Sequence, residues 1–562
     1  MKAGDVVVQA LSHAGIRYVA GISGDSVLEL LDAMYENPNI EYIPVRHEQV
    51  AVSMADGYAR VTGRPMAVLT HVGPGALNLP LGLCNAFKDS VPLLAISGNI
   101  NSSKLGRDAW HEADIVSILR PVTKWNTECR SPNDVDDVMR RALLEAASGR
   151  PGPVHVSFPK DVLAAEVDPP ERYEPVDVRV PMERPESDPV RVAWAVEMFL
   201  AAKRPLLFAG GGLQWSDACE ELLAVAETTG TPVVTTDSAR GAIPEDHPLS
   251  FGVVGSLGKV TACEAMRGSD LILGIGVRFS DISTVEWSLI EKGVPIIQVD
   301  LDPNEIGRQY PSAYGIEADA KRFLAGFLSE IEKRGTGSRQ EKKELALLPR
   351  IRQLREKADQ EWADLMDKDL TARPILPQLI LREAMDLLGT EALVAVGAGT
   401  HTTFAGKFVV GRTRRLLRSV GLGQMGFAFP AAMGGKLALP DIPALVLVGD
   451  GDFAMVMQDL ETAVRRNLAV VVVIFNDFSM GAVRHFQRMQ HGGRYIGVDH
   501  ANPDFAGVAK LFGAHGERVE DPARLRPALK EAFASGKPAV LDVIIDRNET
   551  PMSVRAFYQR FK

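Results

Sequence analysis

The 562-residue sequence predicts an α/β protein built from three doubly wound parallel-sheet domains. Rhythm is the first reason. Short runs of Val, Ile and Leu alternate with longer amphipathic stretches from one end to the other. Nearly continuous apolar runs of about four to eight residues suit parallel strands covered on both faces, and the stretches between them supply crossover helices. Length is the second reason: at roughly 100 to 200 residues per domain, the chain holds three or four. The third is a pair of breaks in the rhythm. Residues 168–189 carry Pro169, Pro170, Pro175, Pro181, Pro185 and Pro189 and read as an extended linker. Residues 334–369 open with Gly335, Gly337 and Ser338, continue as a Lys/Glu-rich helix, and read as a second connector.

In the first segment, 1–165, runs 66–70, 92–97 and 153–158 read as strands, with a strand-like 42–45 before them. The second, 190–333, holds 205–209, 231–235, 270–274 and 295–299. The third, 370–550, holds 393–396, 444–448, 469–475 and 539–545.

Composition narrows the function. Lys and Arg total 62 against 72 Asp and Glu, a net charge of -10, which argues against extended contact with nucleic acid or anionic lipid. It leaves room for a local basic pocket that takes a small anion. Four cysteines form no CxxC pair, so a disulfide framework and a zinc site are not expected. The N-terminus shows no apolar signal segment, and no run approaches the roughly 20 residues that cross a bilayer. A cytoplasmic protein fits best.

Two strand ends carry the chemistry. Gly449-Asp450-Gly451-Asp452 follows run 444–448 and opens a helix pattern. Glycines let backbone turn tightly and approach a phosphate, and free N–H groups at the helix start favour an anion. A carboxylate beside a phosphate needs a cation between them, and Mg²⁺ takes such oxygen ligands. Alone, this is also an ordinary strand-to-helix turn. The next strand changes the reading, because it ends in Asn476-Asp477-Phe478-Ser479-Met480-Gly481. Adjacent parallel strands joined by one helix bring both carboxyl ends to one edge, so Asp450 and Asp477 could share one ion.

This arrangement resembles the thiamine diphosphate signature of the decarboxylase and acetolactate synthase superfamily. The signature has Asn where this chain has Asp477, although catabolic acetolactate synthases also use Asp there. The resemblance implies a pyrimidine-binding domain over 1–165, a central Rossmann-like domain over 190–333 and a diphosphate-binding domain over 370–550. It implies thiamine diphosphate held by Gly449, Asp450, Gly451, Asp452, Asp477 and Gly481, with Mg²⁺ on Asp450, Asp477 and Ser479. Glu48, in Arg46-His47-Glu48-Gln49, matches the family Glu that hydrogen-bonds the pyrimidine and activates the cofactor. Within 421–427, Met425 matches the residue that bends the cofactor, and the Gly423 carbonyl would accept from its amino group. Segments 73–78, 89–93 and 120–124 are also similar to acetolactate synthases.

In the central domain, Gly210-Gly211-Gly212, Arg278 and Asp300 resemble a synthase site that holds FAD in some members and ADP or nothing in others. Leu257 stands where flavin-binding synthases commonly show His, and all three outcomes stay open. Asp25 matches the Asp of pyruvate decarboxylases, and His71 matches an active-site His of benzoylformate decarboxylase. His111, in Trp110-His111-Glu112, stands where synthases carry Gln. A histidine can protonate or deprotonate an intermediate near neutral pH.

The resemblance therefore implies decarboxylation of a pyruvate-like 2-oxo acid with carboligation to an aldehyde or second oxo acid. The Asp25, His71 and His111 set keeps open a non-oxidative decarboxylase that releases an aldehyde. A catalytically silent nucleotide-binding scaffold is the non-enzyme alternative. Family members pair two chains at each active site, so a homodimer or homotetramer is expected.

Overall fold

The computed structural model describes residues 1–169, 177–311, 313–334, 349–357, 359–360, 363, 367–408 and 415–549. Eighteen strands among them form three six-stranded sheets, every pairing parallel. The first sheet contains β1 (Tyr18–Gly21), β2 (Glu41–Pro44), β3 (Ala67–Thr70), β4 (Leu93–Asn99), β5 (Trp125–Glu128) and β6 (Pro153–Pro159) in the order β2-β1-β3-β4-β6-β5. The second contains β7 (Pro205–Ala209), β8 (Val233–Thr235), β9 (Ser250–Val253), β10 (Leu271–Ile275), β11 (Ile296–Asp300) and β12 (Ala313–Glu317), ordered β12-β11-β10-β7-β8-β9. The third contains β13 (Leu393–Val396), β14 (Leu416–Arg418), β15 (Ala444–Gly449), β16 (Val470–Asn476), β17 (His515–Val519) and β18 (Ala539–Ile544), ordered β14-β13-β15-β16-β18-β17. This is the predicted fold class.

Each sheet has a point where neighbouring crossovers from its interior strands part and leave a crevice at the carboxyl ends. Those points lie between β1 and β3, between β7 and β10, and between β13 and β15. Every candidate cluster named from the sequence sits beside one of them.

Of the two connectors, 177–188 runs without regular structure, and 349–357 is helical. Residues 170–176, 335–348 and much of 358–366 lie outside the described residues. Val178 and Val180 bury themselves on the first sheet's core, so the first connector is pinned rather than loose.

One apolar core runs through both outer sheets, from Val50 and Met54 through Phe427 and Met433 to Val446. Its centre is a close crossing of the helices Glu48–Thr62 and Ala428–Ala438. A Cβ on Gly57 would fall 2.0 Å from the Ala431 carbonyl oxygen, and one on Gly434 1.9 Å from that of Met54. Only glycine permits this approach. Polar ties brace it. Asp89 accepts from Arg60 at 2.9 Å and from the backbone N–H groups of Val420 and Gly421 at 3.1 and 2.7 Å. Arg240, fully buried, reaches from the central domain to the carbonyls of Ala405 and Gly406 at 3.2 and 2.9 Å.

The crossing generates a paired expectation. Gly57→Ala should cost about 1–3 kcal/mol, because backbone oxygens cannot step aside as side chains do. Gly326, inside the helix Ala320–Lys333, has nothing within 4 Å of a Cβ. Gly326→Ala should therefore stabilise by about 0.5–1 kcal/mol. Denaturant titration of both variants checks the contrast, and effects of the same sign would contradict it.

Candidate active site

The first switch point gathers Asp25, Glu48, His71 and His111. Asp25 begins the turn after β1, Glu48 opens the helix after β2, and His71 follows β3 directly. His47 is extended at φ −154° and caps that helix, its Nδ1 accepting from the Gln49 N–H at 3.2 Å. Glu48 is buried, and Asn78 Nδ2 donates to its Oε2 at 2.8 Å. A Cβ on Gly75 would meet Oε1 at 3.0 Å, so that glycine keeps the carboxylate's space clear.

His71 lies between two partners. Its Nδ1 meets the Ser26 hydroxyl at 2.8 Å, and its Nε2 meets His111 Nδ1 at 3.3 Å, with the rings edge to face at 4.9 Å. Burial pushes His71 below the ordinary imidazole value, which outweighs the opposing pull of Asp25, whose Oδ1 is 3.7 Å away. A hydrogen bond from Lys160 Nζ at 3.2 Å holds Asp25 below the usual carboxylate range. His111 adopts left-handed backbone at φ 71°, and Trp110 beside it is 83% exposed. Sequence reasoning missed Ser26, Lys160 and Asn78. The first two directly follow signals that were noticed, namely Asp25 and the strand 153–158.

The third sheet brings together the residues named for the diphosphate. Gly449 pairs with Phe475, so β15 and β16 end at one edge. Asp450 is buried, and its Oδ1 accepts from the Gly451 N–H at 2.9 Å. Its Oδ2 accepts from Asn502 Nδ2 at 2.6 Å and faces His500 Nε2 at 3.3 Å. Asp477 Oδ1 accepts from both the N–H and the hydroxyl of Ser479, each at 2.9 Å. Burial, helped by the nearby Asp450 charge, pushes the Asp477 carboxyl up to about 6. A Cβ on Gly481 would come within 2.6 Å of Asp477 Oδ2.

Asp452 has a different arrangement. Its Oδ2 accepts from the Ala398 N–H at 2.9 Å, and its Oδ1 accepts from the Gly426 N–H. Its carboxylate thus ties the loop after β13 to the loop of Gly423 and Met425, and burial pushes it up to about 7. Met425 Cε lies 3.8 Å from where a Gly451 Cβ would be, and Gly423 takes φ 72° beside open space.

These residues fit a magnesium diphosphate. Asp450, buried, and Asp477, half-buried beside it, are two like charges of the hard-oxygen type that Mg²⁺ takes, and a cation between them would relieve their repulsion. Among the described residues no group of three or more His, Cys, Asp and Glu could hold a metal ion, so further ligands must be other oxygens. The polar atoms Thr400 Oγ1 and His401 Nε2 are buried with no partner. Both residues border Gly449 or Gly481: His401 Nδ1 is 3.3 Å and Thr400 Oγ1 3.0 Å from the respective Cβ positions. Unsatisfied polar groups around bare backbone are what phosphate oxygens would satisfy. Neither Thr400 nor His401 was named from sequence.

Among the described residues no hydrogen bond or ion pair joins the Glu48 cluster to the Asp450 cluster. The link is indirect: Gln49 Nε2 donates to the Met425 carbonyl at 3.3 Å.

At the second switch point lies a cavity of about 360 Å³, lined by Gly210, Gly212, Leu257, Arg278 and Asp300, with Asp89 and Gly421 from the outer domains. A Cβ on Gly210 would fall 2.1 Å from the Gly276 carbonyl oxygen, so backbone forms the wall. Burial pushes the Asp300 carboxyl up to about 6.

Comparison with known proteins agrees with this layout. Three family models match in order: the thiamine pyrophosphate enzyme N-terminal TPP binding domain over 1–118, the central domain over 192–327, and the C-terminal TPP binding domain over 397–543. A probable acetolactate synthase large subunit of Methanocaldococcus jannaschii is 34% identical over 98% of this chain and 93% of its own. The acetolactate synthase large subunit of Haemophilus influenzae is 35% identical over 99% and 96% respectively. That of Corynebacterium glutamicum is 36% identical over 97% and 87%. With the three models in sequence and relatives alike over almost their whole length, the chain belongs to the thiamine pyrophosphate enzyme family.

Proposed function

We propose that the protein decarboxylates a pyruvate-like 2-oxo acid with thiamine diphosphate and joins the remaining acyl unit to a second carbonyl. The observation that carries this reading is the end-to-end similarity to acetolactate synthase large subunits. When bound, thiamine diphosphate supplies the electron sink that makes loss of CO₂ feasible.

The chain's own residues bind, orient and protonate. Asp450, Asp477 and Ser479 would hold Mg²⁺, with the bare backbone of Gly449, Gly451 and Gly481 around the diphosphate. Met425 and the Gly423 carbonyl would set the cofactor's bend, while Asp452 braces their loop. Glu48, fixed by Asn78, would face the pyrimidine. His71 and His111 would carry protons, with Asp25 beside them. The domain limits we propose are 1–165, 190–333 and 370–550. For the central cavity the outcomes are FAD, ADP or no ligand, and the visible spectrum tells whether a flavin is bound. A cytoplasmic location belongs to the same reading; among the described residues no helix is long and apolar enough to cross a membrane.

One observation favours a second reading, release of an aldehyde: the contiguous Asp25, His71 and His111 cluster is suited to protonating carbon.

Assembly is the first expectation. Exposed Leu77 and Leu81 lie near Glu48, and exposed Met455 follows the Asp450 turn. A second chain would cover this apolar surface and bring a Glu48 cluster to each Asp450 cluster. Sedimentation should show a dimer or tetramer, and a stable, active monomer would contradict it.

Asp477→Ala should lower affinity for cofactor and Mg²⁺ while the fold survives. Asp477→Asn keeps the Oδ1 that accepts from Ser479 and should be nearly silent. Cofactor titration of both variants checks this, and equal losses would exclude coordination through that oxygen.

Product ratios separate the two readings. His71→Gln or His111→Gln should slow aldehyde release by roughly 10²–10⁴-fold. Carboligation suffers less, because an alkoxide takes its proton from water more readily than carbon does. The acyloin-to-aldehyde ratio should therefore rise, whereas Glu48→Gln should suppress both products equally. An unchanged ratio in both His variants would leave these residues shaping the pocket and favour the carboligase.

A further inference from the structure

We propose that Ser26 is a positioning residue that fixes the tautomer of His71 and so sets the direction of the His71–His111 proton path. The proposal rests on the reading of His71 as a proton carrier.

The hydrogen-bond inventory of one hydroxyl makes the case. Ser26 is 3% exposed, and its Oγ accepts from the Val72 N–H at 3.1 Å. Among the described residues His71 Nδ1, at 2.8 Å, is the acceptor within reach of its single hydrogen, and donating there is what satisfies that hydrogen in a buried site. A neutral imidazole has one donor nitrogen and one acceptor. With Nδ1 accepting from Ser26, the proton resides on Nε2, which faces His111 Nδ1 at 3.3 Å. His111 Nδ1 must accept in turn, so the His111 proton sits on Nε2, the far side of the ring. Three groups in line thus share one polarity.

The geometry is held from several sides. A Cβ on Gly98 would come within 2.2 Å of Ser26 Oγ, and one on Gly24 within 2.5 Å of His71 Nδ1. A Cβ on Gly73 would lie 2.7 Å from the His111 carbonyl oxygen. Three glycines on three segments leave the serine and the two imidazoles their positions.

A competitor is present. Asp25 Oδ1 stands 3.7 Å from the same Nδ1, beyond hydrogen-bond range, and Lys160 draws the carboxylate the other way. A carboxylate accepts only, so an approach by Asp25 would demand the opposite tautomer, with hydrogen on Nδ1. The charged and titratable groups around His71 are Asp25, His111, Glu48 and Lys160. Of these only Asp25 can take Nδ1 once the hydroxyl is gone.

Ser26→Ala tests this in the intact enzyme with its cofactor. Nδ1 should then carry hydrogen toward Asp25, the neutral ring should become the Nδ1–H tautomer, and the nearby carboxylate should favour the imidazolium. The kcat/KM limb governed by His71 should move up by about one pH unit. The acyloin-to-aldehyde ratio should move the same way as in His71→Gln. In an Asp25→Asn background, Ser26→Ala should leave that limb in place, because no carboxylate remains to claim Nδ1. Cofactor affinity, read separately, should match the parent protein.

A limb that stays put in Ser26→Ala, or that moves equally in the Asp25→Asn background, would overturn the positioning role. A purely structural serine would lower rate and stability without moving the limb. If His71→Gln itself leaves the product ratio unchanged, the underlying reading of His71 fails instead, and that result is independent of Ser26.

Discussion

The contact between Gly57 and Ala431, repeated between Gly434 and Met54, is the constraint on which the site depends. Glu48 begins one of the crossing helices, and Met425 lies just before the other. The distance between the two helix axes therefore sets how the two outer sheets of one chain are spaced, and with it where each chain would present its own Glu48 and Asp450 clusters to a second chain. Side chains at the crossing would separate the sheets by ångströms, and geometry loose by about 1 Å can cost a hundredfold in rate. The network of Arg60, Asp89, Val420 and Gly421 fixes the same spacing from the side through charged and backbone groups.

Charge is handled differently on the two rims. Asp25 is exposed and neutralised by Lys160, an arrangement that is cheap because water screens both partners. Asp450 is buried with Asp477 half-buried beside it, and their donors are amides, hydroxyls and backbone N–H groups. Burying like charges is costly unless a cation joins them. On the proposed assignment the Asp450 rim would be completed by a ligand, whereas the hydrogen bonds of the histidine rim are made within the chain itself.

Much of this was legible in the sequence, and what was not has a physical pattern. Interior strands such as β15 and β16 are covered on both faces and read as nearly continuous Val, Ile and Leu. The strands that sequence reading passed over include β5, β9, β12, β14 and β17, each at a sheet edge. Edge strands meet solvent on one side and carry mixed residues, as in Trp125–Glu128 and His515–Val519. β1 is interior, but Tyr18-Val19-Ala20-Gly21 holds a single Val and no Ile or Leu, so no apolar run marks it. At the site, Glu48, Asp450 and Asp477 were recognisable because each sits in a motif at a strand end. Ser26 and Thr400 were not, because a serine or threonine in a loop has no pattern of its own. Their meaning comes from partners 45 and 81 residues away, His71 and Gly481. The two oxygens of Asp452 also point to backbone that sequence spacing does not reveal.

The strand orders β2-β1-β3-β4-β6-β5 and β14-β13-β15-β16-β18-β17 are the same order shifted by twelve. The helices that cross at the glycines occupy equivalent posts, each following the second strand of its sheet. The outer domains thus share one topology, as two copies of a duplicated domain would. A duplicated domain starts with two identical carboxyl-end crevices, and mutations in one need not be tolerated in the other. One copy could specialise in holding an anion on bare glycine backbone while the other accumulated titratable side chains. On the proposed assignment, recognition and acid–base chemistry could then diverge separately, each on its own sheet.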